Sequence, residues 1–214
     1  MKRIILAAGL AVCFGFMNQQ ESGFEYEASE LKDQGVVLLI NGDTLRGEIV
    51  YWPHKNFRAW IDVGSRGKGR REIHPGEVKF FHFNTLNRSF ESEQEIFENG
   101  KKSDSAFYER LNPLNTKFRI YQQFSSSGKM VGGKLEGNNN LFISIPGQLT
   151  ITQLSSKPIR PFNEKLPAYL VDCPALAEKV KNEEKGYKIP AITNNFKRRE
   201  VLSTIAIEYE NCAK

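Results

Sequence analysis

Three histidines, His54, His74 and His82, are the chain's only imidazoles, and His74 and His82 bracket a Pro75-Gly76 turn. With Glu72 or Glu77 beside them they could bind zinc, because imidazole nitrogen and carboxylate oxygen both suit that ion. The spacing fits no compact ligand motif, and neither HExxH nor CxxC occurs, so no metal or other cofactor is expected. Nucleophilic catalysis finds no GxSxG elbow, and Ser125-Ser126-Ser127-Gly128 reads as a turn. The acid pairs Glu93 with Glu95 and Glu183 with Glu184 could serve general acid–base chemistry on glycosides, but they lie in segments that read as solvated surface. No catalytic residue is assigned.

The sharper signal is for binding. Arg66, Lys68, Arg70 and Arg71 crowd a glycine-rich stretch, Gly64 to Arg71, that has neither the Walker order nor a dinucleotide fingerprint. They could grip an anionic group while Trp60, with Trp52 and Phe57 nearby, stacks on a sugar or base. The plainer alternative is a solvated hairpin loop whose charge discourages edge-to-edge aggregation.

The elements that must position these residues read as β first and helix last. Val36 to Ile40 and Thr44 to Trp52 flank Asn41-Gly42-Asp43, a hairpin for which Asn-Gly predicts a two-residue type I′ turn. Leu45, Ile49 and Tyr51 then share one face. Further strands are expected over Phe57–Val63, Arg71–His74 and Glu77–Asn84, the last carrying Val78, Phe80 and Phe81. Residues 84–104 are polar and acidic and read as a connection or a lightly packed hairpin with Phe90, Ile96 and Phe97. A second β stretch has its best pieces at Lys117–Phe124, Gly128–Leu135, Leu141–Ile145 and Gln148–Leu154, with a turn at Asn138-Asn139-Asn140. After Pro158, Pro161 and Pro167, Asp172 can cap a helix over Ala175–Lys185 that Gly186 ends. A last helix over about 197–211 aligns Val201, Ile205, Glu208 or Tyr209, and Cys212.

The expected fold is therefore α+β and mainly β: a small barrel- or sandwich-like antiparallel region followed by a C-terminal helical hairpin. Its parts are a signal peptide over 1–20, a polar leader over 21–34, and a β-rich domain over 35–157 that could divide into halves 35–84 and 107–157. Residues 158–214 form a linker and the helical hairpin. An antiparallel hairpin places Cys173 beside Cys212, which predicts a disulfide, with two buried free thiols as the alternative.

Export follows from the first residues. Lys2 and Arg3 precede an uncharged apolar run, Ile4 to Met17, which at a rise of about 1.5 Å per residue spans roughly 21 Å, short of the roughly 30 Å hydrocarbon core. A lipid anchor at Cys13 is disfavoured, because Val12 stands where a small residue is wanted. The mature chain should lack a transmembrane span and reside in the periplasm, the cell envelope or outside the cell. Removing Lys2 and Arg3 from 30 basic residues leaves 28 against 25 acidic, a net of +3. A 40% hydrophobic content with mean hydropathy −0.46 excludes a disordered chain and a multi-span membrane protein.

Asn41-Gly42-Asp43-Thr44-Leu45-Arg46-Gly47-Glu48-Ile49 with Val78-Lys79-Phe80-Phe81 near the start, and Tyr169-Leu170-Val171-Asp172-Cys173-Pro174-Ala175-Leu176 with Tyr209-Glu210-Asn211-Cys212 near the end, resemble uncharacterised exported proteins of Bacteroidota. The resemblance implies an exported β-rich protein and no activity. The hairpin is also similar to small Sm- or SH3-like barrels, which bind peptides, RNA or proteins; export argues against nucleic acid. The expected function is non-enzymatic binding or structure in the cell envelope, with an envelope protein or an anionic glycan as partner. The alternatives are an enzyme acting on envelope polysaccharide or lipid, and a polyanion-binding module using residues 66–71.

Overall fold

The structure, a computed structural model, describes residues 30–53, 60–65, 68–97, 100–131, 134–144, 151–154, 163, 166–189 and 195–212. The expected signal peptide, Cys13, His54, Phe57 and Arg66 lie outside them. Ten strands form one antiparallel sheet: β1 (Leu31–Leu39), β2 (Thr44–Tyr51), β3 (Ile61–Ser65), β4 (Lys68–Ile73), β5 (Val78–Phe83), β6 (Arg88–Glu93), β7 (Ala106–Arg110), β8 (Arg119–Val131), β9 (Lys134–Ser144) and β10 (Thr152–Leu154). Their order is β10-β9-β8-β7-β6-β5-β1-β2-β3-β4. Both halves expected from the sequence belong to this sheet, with β6 and β7 joining them. Among the described residues the two long helices that follow are α1 (Pro174–Lys181) and α2 (Asn195–Cys212), confirming the mainly β class with a helical tail.

Cross-strand partners share a face, so the register sorts the side chains. On the inner face lie Val37, Ile49, Tyr51, Ile61, Ile73, Phe81, Phe83, Phe90 and Phe107, all buried in one core. Tyr51 on β2 meets Phe107 on β7, ring centroids 5.8 Å apart, with an edge-on contact. In a flat sheet four strand spacings would separate them by about 19 Å. The sheet therefore rolls around its aromatic residues, and Ser92 on β6 donates from Oγ to the carbonyl of Pro75 just after β4 at 2.6 Å. No ladder joins β4 to another strand besides β3 among the described residues, so the barrel-like roll is open and does not close into a barrel.

Gly35 makes the roll possible. A Cβ there would come within 2.2 Å of the His82 carbonyl oxygen and 2.5 Å of Ile49 Cδ1, and a backbone oxygen on a paired strand cannot step aside. Gly35→Ala is expected to destabilise the protein by about 1–3 kcal/mol, read as a lower urea midpoint with an unchanged slope.

The hairpin turn differs from the expected one. Leu39 N–H donates to the Asp43 carbonyl at 2.9 Å and Gly42 N–H to the Leu39 carbonyl at 3.0 Å, which defines a three-residue connection. Only Gly42 has positive φ, at 93°, so this is a turn closed by a glycine bulge and not a type I′ turn. Asn41 serves through its side chain instead: its Oδ1 accepts the Asp43 N–H at 3.0 Å.

Several strand boundaries move. The polar leader ends before Leu31, because Leu31–Gln34 already pair with Tyr51–Glu48. Of the strand expected over Phe57–Val63, residues 57–59 lie outside the described residues, and β3 covers Ile61 to Ser65. Ser125 to Gly128 and Asn138 to Asn140, both expected as turns, lie inside the β8–β9 hairpin. Turn-forming composition yields there to a long hairpin, although the register between its strands shifts between Ser126 and Met130, so the glycine and serines mark an irregularity in the ladder and not its end.

The helices cover the inner face of β8 and β9. Leu176 and Val180 of α1 and Leu202, Ile205, Ala206 and Tyr209 of α2 pack with Phe118, Ile120, Leu141 and Ile143 in a second core. The buried stripe on α2 begins at Arg198 and runs through Leu202 rather than Val201, which is half-buried. Cys173, not Asp172, occupies the N-cap of α1, and the helix stops at Lys181 rather than Lys185. Asp172 instead accepts a hydrogen bond from the Tyr209 hydroxyl at 3.4 Å. Cys173 and Cys212 form a disulfide with Cα atoms 5.6 Å apart, joining the start of α1 to the end of α2 as the hairpin geometry requires. No helix among the described residues is long and apolar enough to cross a membrane.

Candidate functional site

The basic stretch is a strand as well as a loop. Lys68, Arg70 and Arg71 belong to β4, the sheet's edge. Arg70 Nη2 donates to Glu48 Oε1 at 2.8 Å, and Lys32 Nζ approaches the same oxygen at 3.3 Å. Gly64 on the intervening strand lets Arg70 pass, since a Cβ there would lie 3.0 Å from Arg70 Cγ. Arg71 Nη2 donates to Glu77 Oε2 at 3.0 Å. Half of the expected cationic site is therefore already paired with carboxylates of the same chain. Arg66 lies outside the described residues, as does the side chain of Lys68. Trp60 is half-buried, its ring centroid 6.4 Å from that of His74.

His74 and His82 do not assemble a metal site. His74 Nε2 lies 3.1 Å from Glu72 Oε1, while Glu77 accepts the His74 backbone N–H at 3.2 Å. His82 Nδ1 is 2.9 Å from Ser89 Oγ. Among the described residues no three of His, Cys, Asp and Glu gather closely enough to hold an ion.

The densest polar constellation is one whose acidic half reads as surface in sequence. Glu91 and Glu93 project from the outer face of β6, where alternation places both on one side. Facing them across β7 are Arg119 and Tyr121 of β8. Arg119 Nη1 donates to Glu93 Oε1 at 2.7 Å and to Glu91 Oε2 at 3.4 Å, and its Nη2 donates to Ser144 Oγ at 2.9 Å. The Tyr121 hydroxyl contacts both carboxylates, Glu93 Oε1 at 2.9 Å and Glu91 Oε2 more closely. Arg110 of β7 donates from Nη1 to Glu91 Oε1 and Oε2 at 3.1 and 3.2 Å.

Two carboxylates and two guanidiniums make the group neutral overall. The Arg110 side chain is 1% exposed and those of Glu91 and Glu93 are 13% and 12%, whereas Arg119 reaches solvent at 29%. Burial pushes the Glu93 carboxyl above its ordinary value, against the pull of Arg119 and the Tyr121 hydroxyl. Burial, together with the charges of Glu91 and Glu93, drives the Tyr121 hydroxyl upward, so it stays a donor at neutral pH. Burial also raises Glu95 and, with the Glu95 and Glu93 charges, Tyr108. Glu93 is thus no solvated surface residue, and Glu95 is half-buried, while Glu183 and Glu184 are exposed as expected.

The Glu93 shift has a measurable sign. The folded state holds the Glu93 proton more tightly than the unfolded chain, so this carboxyl adds stability as pH falls from its raised value toward the ordinary 4.5. As pH falls from neutral toward 4.5, wild type is expected to gain stability relative to Glu93→Gln in paired urea titrations. A gain by the variant on acidification would contradict the assigned burial.

On the inner face of the same strands, Arg88 makes a bidentate pair with Glu109, Nε to Oε1 at 2.7 Å and Nη2 to Oε2 at 2.8 Å. Gln122 Nε2 donates to Glu109, and Arg199 of α2 donates to Gln122 Oε1. At the other end of α2, Glu210 accepts the backbone N–H groups of Lys117 and Phe118, the latter at 3.1 Å. The helix is thus tied at one end to β8 and at the other to the residues leading into it, by polar contacts flanking its apolar stripe.

Chemically, the outer-face network offers a carboxyl with an elevated proton affinity and a neutral hydroxyl, two elements of acid–base catalysis. Both are bonded to each other or to arginine, so the arrangement as it stands holds strands together. Alternation over Arg88–Glu93 was the only sequence signal for it, obscured because one face of that alternation is acidic. The fold and polar constellation define an open, rolled β protein with a disulfide-bonded helical tail. No protein-family model, no curated protein and no solved structure matches the chain.

Proposed function

We propose that the chain is an exported protein of the cell envelope that works by binding or as a structural component, not by catalysis. The observation that carries the reading is the Cys173–Cys212 disulfide. Such bonds persist in oxidising compartments and are rare in the cytosol. The charged leader followed by a short apolar run, and the resemblance to exported proteins of Bacteroidota, favour the same compartment. Commitment of Glu91 and Glu93 to arginine and tyrosine partners supports the non-catalytic part.

The partner we propose is an envelope protein or an anionic glycan. Approach of a polyanion to β4 would have to compete with Glu48 and Glu77 for Arg70 and Arg71, which favours a protein over a simple polyanion. Fractionation of cells producing the full chain, combined with thiol alkylation before reduction, tests the compartment. Alkylation of both Cys173 and Cys212 in unreduced protein that retains its leader would sink the export reading. Incubation of purified protein with envelope polysaccharide and lipid extracts tests the rest: products released by wild type and lost with Glu93→Gln would replace binding with enzymatic activity.

A further inference from the structure

We propose that the seam between β7 and β8 is a hinge between two halves of the sheet, and that Glu91, Glu93, Arg119 and Tyr121 form the latch that holds it closed. The backbone ladder narrows at this seam. β6 and β7 pair continuously from Ser89–Arg110 to Glu93–Ala106, and β8 and β9 pair along most of their length, but β7 and β8 register only at Glu109–Gln122 and Arg110–Tyr121. One more backbone bond, Leu111 N–H to the Ile120 carbonyl at 2.9 Å, closes it. The inner-face cores divide at the same place: one is built from β1 to β7, and the fully buried members of the other all come from Phe118 onward.

The chain turns between the halves through a shaped elbow. Arg110 donates to the carbonyls of Asn112, Pro113 and Thr116 at 3.0–3.1 Å, so the elbow is carried by β7. Across it the outer face is held by carboxylates on β6 that reach over β7 to a guanidinium and a hydroxyl on β8. Tyr108 meets Phe142 on the outer face, and the residues after β6 pair with Ile151 through Ile96 N–H to the Ile151 carbonyl and Ile151 N–H to the Gln94 carbonyl, both at 3.0 Å; these contacts part with the latch. The seam is closed by these charged groups together with a buried apolar cluster of Ala106, Tyr108, Tyr121, Phe142 and Ile151; carboxylates and guanidiniums recover their hydration when separated, which offsets part of the cost of opening it.

Hydrogen exchange on the full chain and on Tyr121→Phe/Arg119→Gln tests the latch. The expected result is about tenfold faster exchange at Glu109–Leu111 and Ile120–Gln122 with β1 to β5 unchanged. Spin labels at the exposed positions Lys79 on β5 and Ser203 on α2 should show a second distance population that grows in the variant. Acceleration spread evenly over β1 to β9 would show one cooperative unit and overturn the proposal, as would one unbroadened distance in both proteins. Should the double variant fail to fold, Tyr121→Phe alone, which removes only the hydroxyl, is expected to give the same pattern at smaller amplitude, and an unchanged pattern would overturn it.

Discussion

Loss of the Cys173–Cys212 bond lowers stability by about 4 kcal/mol, the chain-entropy value for a closed loop of this length, where the sequence separation is 39 residues. The expected readout is a lower urea midpoint and a melting temperature down by roughly 10 °C for a domain of this size. The two ends of the bond are not equivalent. Cys173 is fully buried in the helical core and Cys212 is exposed. Cys212→Ser therefore removes the cross-link and leaves Cys173 as a small apolar thiol, whereas Cys173→Ser places a hydroxyl at the N-cap of α1, where it can accept a first-turn backbone N–H and offset part of the loss. Wild type treated with reductant should match Cys212→Ser. Equal stability of reduced and oxidised wild type would show that the bond constrains nothing in the unfolded chain.

Arg110→Met is expected to cost about 3–5 kcal/mol, the range for removing one member of a buried ion pair. The methionine fills part of the space but donates nothing, so Glu91 loses the Nη1 donor shared by its two oxygens and the carbonyls of Asn112, Pro113 and Thr116 lose a donor. Lysine does not rescue it, because an ammonium cannot reproduce the planar fork that serves β6 and the elbow together. The matched control is Arg71→Met on β4, whose pair with Glu77 is about half-exposed on both sides and should contribute little. Urea unfolding of the two variants side by side decides the matter. Similar losses for both would mean that the buried network is no more valuable than a surface pair.

Much of the fold was legible in the residues. Alternation around Asn41-Gly42-Asp43 located the first hairpin and put Leu45, Ile49 and Tyr51 on the face the structure buries or half-buries. Period and punctuation located both helices to within a few residues, and their antiparallel arrangement placed Cys173 beside Cys212. These are local properties, carried by neighbours in sequence and by backbone preferences. β6 was misread for the converse reason. In Arg88-Ser89-Phe90-Glu91-Ser92-Glu93 one apolar residue stands among charged and polar ones, which describes solvent exposure unless the charges have partners. Those partners lie 19 to 30 residues away, on β7 and β8.

The sequence by itself determined a mainly β chain with a helical tail, and it favoured a bond between its last two cysteines over two free thiols. Only the tertiary structure decided that the sheet is open, that Arg70 and Arg71 meet Glu48 and Glu77, and that the densest polar group centres on Glu91, Glu93, Arg110, Arg119 and Tyr121. The physical reason is the range of the interactions. Turn and helix propensities act over a few residues, whereas the environment of a charge depends on what the folded chain brings within about 4 Å of it.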